Sequence, residues 1–426
     1  MDTRTASCAW PGVRLGTVRI ACAALLATML AGCGGGGGED GIGPVWIETS
    51  IAAADLDGDG LQDVVTVSSY SQSYSVKDGV LSVHLQTPGF AFAAPENIDV
   101  GNYPWLVRIA DVDGDGAPDI AVLDVDPQGA PQDSIVYLLL QDRSRRGHFL
   151  PPQAIAQTSW CYDLLLADVN GDGAPDLVLA STLAGGNGAL VAYQRLGERG
   201  SFDPPVEIAL PGRATYVAAG DLDGDGLLDL AFYASTSDFP TGSAMLVYGL
   251  PGGGFGPAVV MAPQTGVNAK LVAIADVDGN GLPDVVQAFT PSLTPYQSHL
   301  TVLLQTSVDV FQAPVDTSLA GVQGLDGFAV GNLNGDGLPD VAATGFYPTG
   351  SPTTVQSRAN VLMAAGNGQF GLAASYPMPV AMSRITAADL NGDGLNDLVL
   401  LGEDNRAFVM LQSSGSPGTF LPAVEL

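Results

Sequence analysis

Seven copies of one acidic, glycine-bearing nonapeptide, D/N-x-D/N-G-D/N-G-x-x-D, recur along this chain, starting at Asp55, Asp111, Asp168, Asp221, Asp276, Asn332 and Asp389. Successive copies lie 56, 57, 53, 55, 56 and 57 residues apart. A fixed period of this length marks a repeat architecture, in which each unit is one supersecondary element that buries its apolar face on its neighbours. The period runs from about residue 45 to the end of the 426-residue chain and leaves no room for a second domain.

Each unit reads as four strands. Short apolar stretches flank the acidic segment, as in Val107-Arg108-Ile109-Ala110 before it and Asp176-Leu177-Val178-Leu179-Ala180 after it, and give strands A and B. A third apolar run, such as Ile135 to Leu140, Leu300 to Leu304 or Ala407 to Leu411, gives strand C. An aligned Phe (Phe92, Phe149, Phe202, Phe255, Phe311, Phe370, Phe420) is expected to open strand D. Four antiparallel strands repeated seven times without helical periodicity define an all-β fold, a seven-bladed β-propeller with one calcium loop per blade between its first and second strands. A β-helix is the other repetitive β architecture, but its coils are shorter than these units and do not need three hairpins each. The chain is expected to close by packing the last blade on the first, without a swapped strand.

In Asp111-Val112-Asp113-Gly114-Asp115-Gly116-Ala117-Pro118-Asp119 the oxygens at positions 1, 3, 5 and 9 can converge on one cation, with the carbonyl of position 7 as a further ligand. An all-oxygen set suits a hard cation. Ca2+ fits it better than Mg2+, which demands stricter six-fold geometry. The expected side-chain ligands are Asp55, Asp57, Asp59 and Asp63; Asp111, Asp113, Asp115 and Asp119; Asp168, Asn170, Asp172 and Asp176; Asp221, Asp223, Asp225 and Asp229; Asp276, Asp278, Asn280 and Asp284; Asn332, Asn334, Asp336 and Asp340; and Asp389, Asn391, Asp393 and Asp397. The expected carbonyl ligands are those of Leu61, Ala117, Ala174, Leu227, Leu282, Leu338 and Leu395. Asp, Asn and Gly are also good turn residues, but turns alone do not require the same four positions seven times over.

These positions hold 23 of the 45 acidic residues, which explains much of the formal net charge of -30. Seven divalent ions would add 14 positive charges and bring it to -16. Binding strength follows ligand charge, so the sixth loop, with two carboxylates, is expected to be the weakest. A chain with 15 Lys and Arg and no basic patch is not expected to bind nucleic acid.

Residues 1–32 read as an export signal: Arg4, Arg14 and Arg19 precede an apolar run from Ile20 to Leu30, too short for a comfortable membrane span. Leu30-Ala31-Gly32-Cys33 resembles the lipobox of bacterial lipoproteins, which implies lipidation of Cys33 and a membrane anchor. Residues 33–44, with the Gly34 to Gly38 run, then form a tether, and residues 45–426 the propeller. By the same resemblance, Gly34 after the Cys favours the outer membrane of a bacterial cell envelope, possible exposure at the cell surface included. Lipidation leaves Cys161 alone, so no intramolecular disulfide is expected in the mature, monomeric fold, and calcium is expected to staple each blade.

The Asp57-Gly58-Asp59-Gly60 loop, its copies and the recurring Phe resemble the FG-GAP repeats of integrin α-subunit propellers and the related bacterial VCBS-type repeats over about residues 45 to 426. The resemblance implies a calcium-bearing propeller in extracellular adhesion or recognition. Several units lack Gly after the Phe, as in Phe149-Leu150 and Phe202-Asp203, and no other integrin domain is present.

Loops on a rigid scaffold are where recognition usually resides, so the face opposite the calcium loops is the expected ligand face. Its D to A connections carry Tyr103, Trp105, Trp160, Tyr162, Tyr216, Lys270, Asp326 and Arg384. Its B to C loops carry Tyr70, Tyr74, Phe239, Tyr296 and Tyr347. Aromatics with a few polar groups suit a glycan or protein ligand, the chain then being a binding, adhesion or scaffold module. The alternative is a calcium-dependent polysaccharide lyase or hydrolase. No phosphate loop, nucleophile elbow or zinc spacing supports an enzyme, and His84, His148 and His299 have no repeated partner.

Overall fold

A computed structural model describes residues 45–426 apart from 74–75, 126–132, 184–185, 196–197, 236–240, 262–263, 266, 292–296, 320–321, 323, 326, 349–354 and 405. Cys33, the export signal and the tether lie outside the described residues. Among the described residues there is no helix, and hence none long and apolar enough to cross a membrane.

Seven sheets follow one another along the chain, each built from consecutive antiparallel strands in the order A, B, C, D. In the second blade these are Pro104–Ala110, Asp119–Val125, Asp133–Leu139 and Gln153–Ser159. The seven A strands are Val45–Ala54, Pro104–Ala110, Cys161–Ala167, Arg213–Gly220, Val267–Ala275, Phe328–Gly331 and Met382–Ala388. Contacts between A strands of adjacent blades place them at the axis of the ring. The B strands are buried on both faces, as in Asp397–Gly402, where every residue is buried. They accordingly read as continuous apolar runs instead of alternating ones.

The core is divided among the joints between blades. Val65, Val67 and Leu81 of the first blade pack on Val107, Ile120 and Val122 of the second. Equivalent clusters fill the other joints. Ile51 and Val64 meet Leu390, Val399 and Leu401 to close the ring between the last blade and the first, with no strand exchanged.

The recurring Phe does not open strand D in six of the blades. It lies opposite the last residue of the C segment in a short bridge, Gln141 against Phe149 and Gln412 against Phe420 for example, and strand D starts four residues later, at Glu96, Gln153, Val206, Val259, Val315 and Val424. The Phe pins the base of the C to D turn, and only in the sixth blade does the strand begin at it, with Phe370–Pro377.

Six of the A strands carry a bulge at one equivalent place. The register breaks between Glu48 and Ser50, Pro104 and Leu106, Cys161 and Asp163, Ala214 and Tyr216, Ala269 and Leu271, and Met382 and Arg384. The unpaired residues are therefore Thr49, Trp105, Tyr162, Thr215, Lys270 and Ser383, all at the end of the strand away from the acidic loop. A bulge bends the strand locally and re-aims side chains, here around the axis of the ring.

Candidate functional site

Each acidic loop is wound by hydrogen bonds between its side chains and its own backbone, on a pattern that five copies share and the second and sixth vary. The glycines at positions 4 and 6 take φ values of 68–96° in all seven copies, a left-handed conformation that other residues adopt only with strain. The position 1 carboxylate accepts from the backbone N–H groups this turn exposes: Gly58 donates to Asp55 Oδ1 at 2.7 Å and Gly60 to Oδ2 at 3.0 Å. The position 5 oxygen accepts from the N–H of position 7, as Asp225 does from Leu227 at 2.8 Å. The oxygens of Asp55 and Asp225 each keep a second lone pair for a cation.

The position 9 aspartate is a cross-brace. Asp63, Asp119, Asp176, Asp229, Asp284, Asp340 and Asp397 are all fully buried. In Asp284, Oδ2 accepts from the N–H of Val277 at 2.9 Å and Oδ1 from the N–H of Gln305 at 2.8 Å, so one carboxylate ties the loop to the end of strand C. The other six copies make the same pair of bonds. Burial pushes the carboxyls of Asp63, Asp119, Asp176, Asp284 and Asp397 up to about 6, against the opposing pull of these backbone donors. Neighbouring loop carboxylates push in the same direction.

Carboxylate oxygens converge most closely in four loops. Those of Asp55, Asp57 and Asp63, of Asp111, Asp113 and Asp115, of Asp221, Asp223 and Asp225, and of Asp276, Asp278 and Asp284 lie within 4.8 Å of one another. The donor set is all oxygen, it is crowded beyond what uncompensated charge favours, and it fits a hard divalent cation. The third, sixth and seventh loops carry Asn at position 3. In the sixth, Asn332 has one side-chain oxygen, which accepts from Gly335, and the Asn334 amide donates to Asp336 Oδ2 at 2.8 Å. Amide groups there do what a cation could do elsewhere.

A glutamine absent from the expected set links the loops around the ring. Gln86, Gln141, Gln194 and Gln305 each donate Nε2 to the position 2 carbonyl of the preceding blade's loop, at Leu390, Leu56, Val112 and Leu222. Gly249 and Ala364 stand at the corresponding places in the fourth and sixth blades, and Gln412 of the seventh turns back to Asn396 of its own loop. The signal was present in sequence as a Gln six or eight residues before the recurring Phe.

The second loop differs from the others because arginines reach it. Arg143 Nε donates to Asp115 Oδ2 at 2.6 Å, Arg199 Nε pairs with Asp113 Oδ2, and Arg199 NH2 donates to the Gln141 carbonyl at 2.9 Å. Burial tends to raise the Asp115 carboxyl, but Arg143 and the Ala117 N–H hold it below the usual carboxylate range. Asp115, Ala117, Gln141, Arg143 and Arg146 line a cavity of about 490 Å³.

At the opposite ends of the A strands the bulged Trp105 and Tyr162 meet other aromatic and basic side chains. Arg384 sits 5.7 Å over the Trp105 ring, and Trp160 stacks on Tyr162 with centroids 6.2 Å apart. Arg213 donates to Tyr162 Oη at 2.9 Å. Arg108 pairs with the buried Asp163 at 2.9 Å; burial raises that carboxyl, opposed by Arg108 and by the N–H groups of Val217 and Leu164. The structure thus brings Trp105, Trp160, Tyr162 and Arg384 to this mouth and adds Arg108, Asp163 and Arg213. Tyr216 packs into the joint between the fourth and fifth blades, and Tyr103 donates its N–H to Asp124. Asp326, Tyr74, Phe239 and Tyr296, and the side chains of Lys270 and Tyr70, lie outside the described residues. Tyr347 bonds Asn360 at 2.7 Å. The histidines do not converge: His148 pairs with Glu96, and His299 with Asp316 while stacking on Phe289. Cys161 is buried, and burial pushes its thiol up.

Fold and loops together define an all-β, seven-bladed propeller with acidic loops able to hold metal ions. The family model for the FG-GAP-like repeat matches residues 55–122, 168–232 and 332–400, so the chain carries FG-GAP-like repeats in three places. Among solved structures it is similar to the exotype rhamnogalacturonan lyase YesX, at 15% identity and a TM-score of 0.48, and to the rhamnogalacturonan lyase YesW, at 15% and 0.46. Each match covers 87% of this chain and 72% of the other. No curated protein matches the chain.

Proposed function

We propose that the chain is a calcium-stabilised propeller of the bacterial cell envelope, held to the outer membrane through lipidated Cys33, that binds a glycan or protein ligand as an adhesion or scaffold module. The observation that carries the ligand reading is the mouth where bulged A strands present Trp105 and Tyr162 beside Trp160, Arg213 and Arg384. Flat aromatic faces next to guanidiniums offer stacking to a sugar ring or an aromatic side chain, and hydrogen-bond donors to its oxygens. The calcium reading rests on the oxygen donor sets and the left-handed glycines of the loops.

A glycan and protein array probed with the purified chain, with and without calcium, tests this. Binding is expected to fall at least tenfold in Trp105→Ala and Trp160→Ala, each shown by circular dichroism to be folded. Depolymerisation of a polysaccharide in a parallel screen would instead assign the chain to the lyases or hydrolases. For the anchor, Cys33→Ser is expected to move the protein from the membrane to the soluble fraction, and an unchanged distribution would remove lipidation from the reading.

A further inference from the structure

The second loop has four aspartates, as many as any in the chain, and by ligand charge alone it ranks with the strongest sites. Its contacts say otherwise. We propose that the second loop takes no metal ion and is held instead by two arginines, Arg143 of its own blade and Arg199 of the next, which supply the charge an ion supplies elsewhere. This rests on the reading that the other loops bind calcium.

Two observations carry it. The position 3 side chain of each of the six other loops accepts from the N–H of position 5, as Asp57, Asn170, Asp223, Asp278, Asn334 and Asn391 do at 2.8–3.1 Å. In the second loop the Asp115 N–H goes to Asp111 alone, at 3.0 Å, a bond that the third, fifth and seventh loops make in addition, and Asp113 turns to Arg199. Second, the Asp113 side chain is fully buried and lies between both guanidiniums, with Arg143 NH2 3.7 Å from Oδ1, while Arg199 NH2 is 3.5 Å from Asp115 Oδ2. Among the described residues, ion pairs to loop carboxylates occur in this loop alone. Two guanidiniums carry the same charge as one divalent ion, and a calcium ion approaching these oxygens would meet both at short range.

The second of these cations comes from the neighbouring blade, Arg199 lying in the C to D turn of the third. Arg146 comes up against Gly58 of the first loop but makes no ion pair there among the described residues, so that loop remains open to an ion.

Equilibrium dialysis against 45Ca, with protein counted by amino-acid analysis, tests the assignment. Asp113→Asn with Asp115→Asn is expected to leave the number of ions bound per chain unchanged, whereas Asp223→Asn with Asp225→Asn lowers it by one. Arg143→Ala with Arg199→Ala is expected to gain one ion, and circular dichroism of each variant in saturating calcium identifies any that fails to fold. Loss of an ion in the Asp113/Asp115 variant, or no gain in the folded arginine variant, overturns the proposal while leaving the other loops' calcium intact. No calcium in the wild-type chain together with none in the arginine variant overturns both this proposal and the calcium reading it rests on.

Discussion

Asp284 and its six counterparts are buried with both oxygens engaged by backbone N–H groups, so each holds loop and strand together whether or not an ion is present. Replacing one oxygen by an amide sets an NH2 against a backbone donor. Asp284→Asn is therefore expected to destabilise the chain by about 1–3 kcal/mol, measured by urea unfolding; a change within error would show the brace to be dispensable. The same residues set a pH dependence. In Asp63, Asp119, Asp176, Asp284 and Asp397 the folded-state pKa of about 6 lies above the value of 3.8 that the unfolded chain has. The folded form therefore holds these protons more tightly, and the contribution is fully present below pH 3.8 and lost as pH rises through about 6. A cation needs the ionised form. In chelator the urea midpoint is expected to fall across this window, and the increment restored by calcium to grow across it; an increment that shrinks with rising pH would contradict the assignment.

The unit that joins one blade to the next is the C to D turn. Its Gln reaches across the joint to a buried carbonyl under the neighbouring loop, while its own Oε1 in Gln86, Gln141, Gln194 and Gln305 has no partner among the described residues. The clasp is thus held by its donor side alone. Gln305→Ala leaves the Leu222 carbonyl unpaired and is expected to cost about 1–3 kcal/mol, with faster amide exchange on both sides of the joint between the fourth and fifth blades. The reverse change at Ala364 has no such bond to lose. Strand positions were legible because apolar runs recur at a fixed distance from each acidic loop. The strand D starts were not, because Phe149 and its counterparts mark a bridge at the turn, a contact between two residues that leaves no periodic trace. The Gln clasps were missed for a related reason: a lone polar residue after an apolar run looks like a strand end, and only the joint shows what it touches.

At the scale of the ring, stability is shared among seven joints and as many loops, with no disulfide among the described residues to back them up. Each ion bound to the folded form alone adds about 2.7 kcal/mol at a free concentration 100 times its Kd. Excess chelator is accordingly expected to lower the melting temperature in differential scanning calorimetry, and an unchanged transition would remove calcium from the account of the fold. The blade number and the placing of the loops followed from counting the acidic repeats. The inequality of the second loop did not, because Arg143 and Arg199 belong to different repeats and only packing of the third blade on the second sets both against Asp113.

The Gln clasps tie the seventh, first, second and third blades into one unbroken run and are missing where Gly249, Ala364 and Gln412 stand. Trp105, Trp160, Tyr162 and Arg384 all belong to that run. Under the binding reading proposed above, blades linked this way would keep their relative orientation, so that a ligand at the mouth would cost the chain little rotational freedom between blades. Recognition there would be that of a rigid template, selecting partners by shape at encounter.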